Sequence, residues 1–430
     1  MRCGTNKPSR LRRAFSPWLG LVVAVTITVV AVAQVSRASE NRDLLKTAPL
    51  PVPDYLETVT DPTFSTTFTR VTDPEALFLP GVVCGPKACR HRYSSTQAWN
   101  ADQSLLLITE GCPGLCFVDG QTYEPLFVRQ VSGSHDCKWH PRDPDIMVCV
   151  YPSGVSAWNP RSRTWKSLWK TEDYRALVFG PYKGNLSADG DLIVLRGLDA
   201  EGKLVAFALD LRDGQKHPDI MLDGLEGENH YATISPSGRY VYVAQRTDDG
   251  HEPAYVFTTD GKLIQHWPEH HRPGHGDMTI DADGEDVYVG VSKSEPDKFH
   301  VVKRRLSDGA VTSLIPYSNA SHISARNIKL PGWVFVSFSG SYANTRKLDY
   351  PAPYYQEVVA LRIDGSGEVH RLAHTYGADA EYLSEAHGSP SPDGSRVIWA
   401  SNWGKPGAPV SAFVTTWNPP KATSRTSEAQ

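Results

Sequence analysis

The chain has 430 residues, enough for two or three domains or for one large all-β domain. Acidic and basic side chains nearly balance at a formal net charge of −4, so no basic field points to nucleic acid as a partner. Glycine and proline, 34 and 32 residues, are spread along the whole length, as many short strands joined by turns require.

Residues 1–33 read as a secretory signal peptide. Arg2, Lys7, Arg10, Arg12 and Arg13 precede an apolar run from Trp18 to Ala33 that ends in Ala31-Val32-Ala33, an A-x-A cleavage pattern. The run is short for a membrane span of about 20 residues. An uncleaved N-terminal anchor is the alternative, and it would be the only membrane contact. The protein is therefore expected outside the cytoplasm, in a periplasm or extracellular medium. Residues 34–62, polar and Pro-bearing, read as a linker, 63–418 as the folded body, and 419–430 as a disordered tail.

Cysteine usage agrees with export. Without Cys3 six cysteines remain, and all lie between Cys84 and Cys149. Cys84 with Cys89, Cys112 with Cys116 and Cys137 with Cys149 is the simplest disulfide pairing, with crossed pairs left open. C-x4-C followed by C-x3-C is poor spacing for a zinc finger.

A repeat sets the architecture. A short β-prone segment, a Ser-Pro-Asp-Gly-like turn and an alternating apolar segment recur seven times. The clearest copies are Ile234-Ser-Pro-Ser-Gly238 before Tyr240-Val-Tyr-Val243, and Pro390-Ser-Pro-Asp-Gly394 before Val397-Ile-Trp399. Others are centred on Ala101, Pro141, Ala188 and Ala282, and a divergent one on Leu330. Steps of about 40 to 60 residues match the pitch of a four-stranded propeller blade. The expected fold is all-β: a seven-bladed β-propeller closed by an N-terminal strand. One blade cannot bury both its apolar faces, but a ring of blades can. The last copy shows only one further strand, about 409–417, so Thr63 to Val71 is expected to supply its fourth and remove the open edge.

Histidines recur at one offset. His135, His230, His275, His322 and His387 precede the turn position by about five to eight residues, where the chain enters the innermost strand of a blade. Such residues converge on one mouth of the central channel. Grouped imidazoles suit a transition metal or acid–base chemistry, although a single His here also serves in hydrogen bonds to a neighbouring turn. Arg92, Tyr93, Arg326, Asp277 and Glu385 belong near the same mouth. Trp403, Tyr342, Tyr350, Tyr354 and Tyr355, in or near loops, are candidates to stack on sugar rings.

Taken together, Tyr93…Gln97-Ala-Trp99-Asn-Ala-Asp102, Gly274-His275-Gly-Asp-Met278, and Ala386-His387 with its Ser-Pro-Asp-Gly turn resemble the oligogalacturonate lyases. These are seven-bladed propellers akin to TolB-type, WD40-like repeats. The resemblance is diffuse and spans most of residues 90–405. It implies β-elimination of uronate-containing oligosaccharides with a divalent metal (Mn, Ca or Zn) held by His at the channel mouth. It carries over to His275 and His387; His322 and His230 join them as ligands on geometry. A second His two residues after His387 is absent, and Ser389 stands there.

Two readings stay open. In the first, the chain is an exported lyase acting on acidic carbohydrate. Arg326 or Arg92 neutralises the carboxylate, and His135, His230 or Tyr93 acts as base. In the second it is a non-catalytic propeller that binds carbohydrate or another envelope protein.

Overall fold

The computed structural model describes residues 43–131, 136–179, 183–248, 252–268, 274–315, 320–338, 353–377 and 381–420. The expected signal segment, most of the expected tail, His135, Tyr342 and Tyr350 lie outside the described residues.

The protein is a seven-bladed β-propeller. Blades 2 to 6 are four-stranded antiparallel meanders beginning at Asp136–Trp139, Val178–Phe179, Glu228–Ile234, Gly274–Ile280 and Ala320–Ser324. Blade 1 has three full strands, Leu105–Ile108, Leu115–Asp119 and Pro125–Arg129, and the bridge of Trp99 to Leu106 stands in for its innermost strand. The only helical element among the described residues is one 3-10 turn, Tyr382–Ser384.

Blade 7 closes the ring as expected. Thr67–Arg70 pairs antiparallel with the chain's last strand, Val410–Thr416, with Thr67 opposite Thr416 and Arg70 opposite Phe413. A fifth strand, Thr58–Thr60, lies outside it. The expected linker over 34–62 is described from residue 43 onward. Residues 43–60 run across blades 6 and 7, where the carbonyls of Asp43, Ala48, Leu50 and Pro53 accept bonds from Arg371, Tyr376, Trp403 and Arg70. The backbone carbonyls of an otherwise polar segment found partners there, a tertiary effect that composition does not carry.

Each gap between blades holds its own apolar cluster. Val287 and Val289 of blade 5 meet Ile323, Val334 and Val336 of blade 6. Ile398, Ala412 and Val414 of blade 7 meet Trp99, Leu106 and Val118 of blade 1, so the seam is packed like any other gap. Adjacent inner turns are also tied, Ala188 N donating to Pro236 O at 2.7 Å and Lys329 N to Pro392 O at 2.8 Å. In the last turn Gly394 takes φ 73°, which a residue without a Cβ adopts freely.

Cys84–Cys89, Cys112–Cys116 and Cys137–Cys149 are disulfides, neighbour-paired. Cys137 and Cys149 face each other across the two inner strands of blade 2. Three disulfides fit an oxidising compartment. No helix of the described residues is long and apolar enough to cross a membrane.

Candidate active site

The innermost strands of blades 4, 5 and 6 share an irregularity at their start. The register slips between Asn229 and Tyr231, between Gly274 and Asp277, and between Ala320 and His322. A bulge re-aims side chains, and His230, His275 and His322 stand in or beside these three. In blade 5 only glycine fits the bulge, because a Cβ on Gly276 would lie 2.1 Å from the Val289 carbonyl oxygen. His275 and His387 themselves have φ of 50° and 46°, uncommon for residues with a side chain.

These side chains open into a funnel of about 450 Å³ lined by Tyr93, Lys183, His230, His275, His322, Tyr382 and Glu385. Among the described residues, every blade except the second contributes. On one side of the funnel, His322, Glu385 and His387 each place a ligand atom within 4.8 Å of the others, a group that could hold a metal ion. Glu385 Oε2 accepts from His322 Nε2 at 2.7 Å and from His387 Nε2 at 3.1 Å. The two rings are perpendicular with centroids 4.1 Å apart. Tyr93 packs on both, at 5.2 and 4.9 Å.

Behind this group lies a fully buried base. Arg90 donates through Nη1 to the carbonyls of Leu383 and Glu385, at 2.6 and 2.9 Å, and through Nη2 to His387 Nδ1. His91 Nε2 donates to the His387 carbonyl at 2.7 Å. Burial, with Lys183 and Arg90 nearby, lowers the His322 pKa to about 3, and burial, with His322 and Arg90 nearby, holds His387 well below its ordinary value. Both are neutral at neutral pH, as ligands must be. Burial raises Glu385 above the usual carboxylate range.

The fit to a metal follows from the tautomers. His322 Nδ1 is buried with no hydrogen-bond partner. Its proton can move there, freeing Nε2 beside the Glu385 carboxylate. His387 has its Nδ1 occupied by the Arg90 guanidinium, so its Nε2 carries the proton. It becomes a donor once Arg90 leaves that nitrogen. Oxygen and imidazole donors in this mix suit Mn or Zn.

The other expected site residues are placed as follows. His230 and His275 line the same funnel, outside the three-atom group; the rings of His275 and His322 are 5.4 Å apart. Tyr93 is in the funnel, but burial together with Tyr382 and Glu385 pushes its pKa far above the usual phenol range. It is a proton donor rather than a base at neutral pH. The two arginines expected at the mouth are elsewhere. Arg326 lies lower in the channel, clamped on Asp277 by two bonds of 2.8 Å. Arg92 turns into a groove between blades 1 and 2, with Asp136 at 3.4 Å. Each has found a carboxylate from another blade, a pairing that sequence distance conceals. Trp403 is stacked on Tyr376 at 4.4 Å and Tyr354 is buried, so neither presents a face for sugar. The residues missed are Arg90, Lys183 and Tyr382, and Glu385 was placed near the mouth without a role as a ligand. The two-residue spacing of Glu385 and His387 at an inner-strand entrance was the available signal.

Among solved structures, an oligogalacturonate lyase in complex with manganese aligns at a TM-score of 0.58 and 13% identity, over 84% of this chain and 96% of that one. An oligogalacturonate lyase from Vibrio parahaemolyticus aligns at 0.55 and 11% identity, again over 84% and 96%. No protein-family model matches the chain, and neither does any curated protein sequence. At these identities the likeness is one of fold, and the chain is a seven-bladed propeller of the architecture found in the oligogalacturonate lyases.

Proposed function

We propose that the protein is an exported, metal-assisted lyase that cleaves uronate-containing oligo- or polysaccharides by β-elimination. The observation that carries this is the His322–Glu385–His387 group at the side of an open funnel, on a fold shared with a lyase described in complex with manganese.

His322 and Glu385 would hold the ion, with His387 joining when Arg90 withdraws from its ring. A bound divalent ion supplies positive charge to the uronate carboxylate and so acidifies the adjacent C5 proton. Lys183 is the cation the funnel wall offers to the same carboxylate, in place of Arg326 and Arg92. A neutral imidazole, His275 or His230, takes the C5 proton. The C–H electrons form the C4–C5 double bond, the C4–O bond breaks, and the leaving oxygen is protonated. Tyr93 or Tyr382, phenols lining the funnel, suit that last transfer.

The test is the appearance of ultraviolet-absorbing unsaturated product from a panel of uronate polymers, with metal-stripped and metal-loaded protein. Product that forms only with metal, and that the Glu385→Gln variant does not form, supports the reading. Tight sugar binding without product, unaffected by metal, would favour the non-catalytic binding propeller.

A further inference from the structure

The outermost strand of blade 2, Thr164–Lys170, carries features that the fold does not require. Residues 161–167 are exposed without a break, and so is Lys170. Between Asp145 and Glu172 the sequence holds no acidic residue, while Arg161, Arg163, Lys166 and Lys170 lie on or beside this strand. Arg163, Lys166 and Lys170 enter no ion pair among the described residues. Arg129 of blade 1 stands near Arg163, and its guanidinium is taken up by the carbonyls of Pro160, Val128 and Arg161. The seam between the outer edges of blades 1 and 2 is therefore positive.

Arg163 also stands where this fold uses glycine. Its φ is 63°, and its N–H donates to the carbonyl of Asn159, four residues back, at 2.8 Å. The matching hairpins of blades 3 and 5 make the same bond at Gly214 and Gly309, at 3.0 and 2.9 Å, with φ 76° and 74°. A left-handed backbone is unfavourable for a residue with a Cβ. Blade 2 keeps an arginine there although its side chain makes no hydrogen bond to the described residues.

Two residues on, Trp165 is 46% exposed and lies flat on the buried Trp158, with ring centroids 5.2 Å and planes 14° apart. Trp158 packs edge-on against Phe117, so the exposed indole has a fixed plane. The strand pairing slips at Leu168, which brings Lys170 to the same face as Trp165 and Ser167. Trp169 turns the other way, against Phe207 of blade 3.

We propose that Arg163, Trp165, Ser167 and Lys170 form a surface site for an extended acidic polysaccharide. Arg163 and Lys170 take carboxylates, and the C–H face of a sugar ring stacks on the indole of Trp165. A strand of 7 residues is about 20 Å long, more than one sugar ring. Arg161 Nη2 reaches Ser104 Oγ at 3.4 Å, in the inner turn of blade 1, which places the Arg163 hairpin on the face away from the funnel. The site is separate from the funnel and holds whether or not the funnel cleaves its sugar.

Native electrophoresis of the metal-stripped protein through gels containing polygalacturonate tests this. Wild type and Glu385→Gln should be retarded alike. Arg163→Gly keeps the left-handed turn without strain, and it should bind the polymer about fivefold more weakly, the upper scale of one exposed ion pair. Trp165→Ala should also lose retardation. Undiminished retardation of Arg163→Gly would overturn the proposal. Loss of retardation in Glu385→Gln would place the binding in the funnel and overturn it too. So would equal retardation by neutral dextran, or binding to phosphatidylglycerol vesicles but not to the polymer. Should Trp165→Ala fail to fold, Arg163→Gly decides alone.

Discussion

The buried guanidinium of Arg90 is hydrogen-bonded to Nδ1 of His387, so a residue just before the first blade fixes the ring of a residue entering the last. The two are 297 positions apart in sequence. This contact spans the seam where the ring closes, and it makes the candidate metal group depend on closure. Replacing Arg90 by Met should leave the carbonyls of Leu383 and Glu385 without their donor. Each buried unsatisfied group costs about 1–3 kcal/mol, so a loss of about 2–6 kcal/mol is expected by chemical denaturation. With the cation gone, His387 should take up protons more readily, which an NMR titration of its ring would read as a raised pKa.

Glu385→Gln keeps the shape of the side chain and removes its charge. Divalent-metal affinity should fall by at least about tenfold, the scale on which even outer partners of metal ligands act. Titration calorimetry with manganese on the metal-stripped protein measures it. An unchanged affinity would show that the ion binds elsewhere.

Acid should destabilise the fold well above the carboxylate range. His91, His322, His374 and His387 are buried, and burial lowers each of their pKa values, to about 3 for His91 and His322 and about 4 for His374. Unfolding returns them to an ordinary value near 6.5. The unfolded chain therefore binds more protons in the window between. The stabilisation is complete above about pH 6.5 and is lost as pH falls toward the folded values, at up to about 1.4 kcal/mol per histidine per unit. Glu357 and Glu385, raised by burial, act in the opposite sense and are outnumbered. Unfolding midpoints measured from pH 7 down to pH 4 should decline steadily, and less steeply in His322→Gln.

The closing strand should matter as much as any core strand. Phe68 is fully buried against Trp399, Trp403 and Phe413. Phe68→Ala should cost about 3–5 kcal/mol by urea denaturation.

The bridge between the inner strands of blade 2 has the longest loop of the three, a sequence separation of 12. Replacing Cys137 and Cys149 together by Ser should cost about 3 kcal/mol on the chain-entropy scale. Thiol titration of the denatured, unreduced wild type should find no reactive thiol among the six cysteines from Cys84 to Cys149.

The sequence carried the fold further than the site. Turns such as Ser391-Pro392-Asp393-Gly394 are local, and the spacing between them counts blades without knowledge of contacts. The histidine offset is local too, and it brought His230, His275 and His322 to one funnel. What failed were pairings across blades. Arg326 meets Asp277 and Arg92 meets Asp136 through ring geometry, so their charges were already neutralised where the sequence offered them to a substrate. Arg90 was passed over because an arginine beside a cysteine gives no sign of burial. Glu385 was undervalued because a second histidine was sought at 389, while the second donor stands two residues before His387.

The most direct test is the ultraviolet absorbance of unsaturated product when manganese is added back to the metal-stripped protein with a uronate polymer. Absorbance that rises with metal occupancy, and that Glu385→Gln and His322→Ala abolish while remaining folded, is the predicted result. A fully metal-loaded wild-type protein that leaves every uronate polymer uncleaved would contradict it.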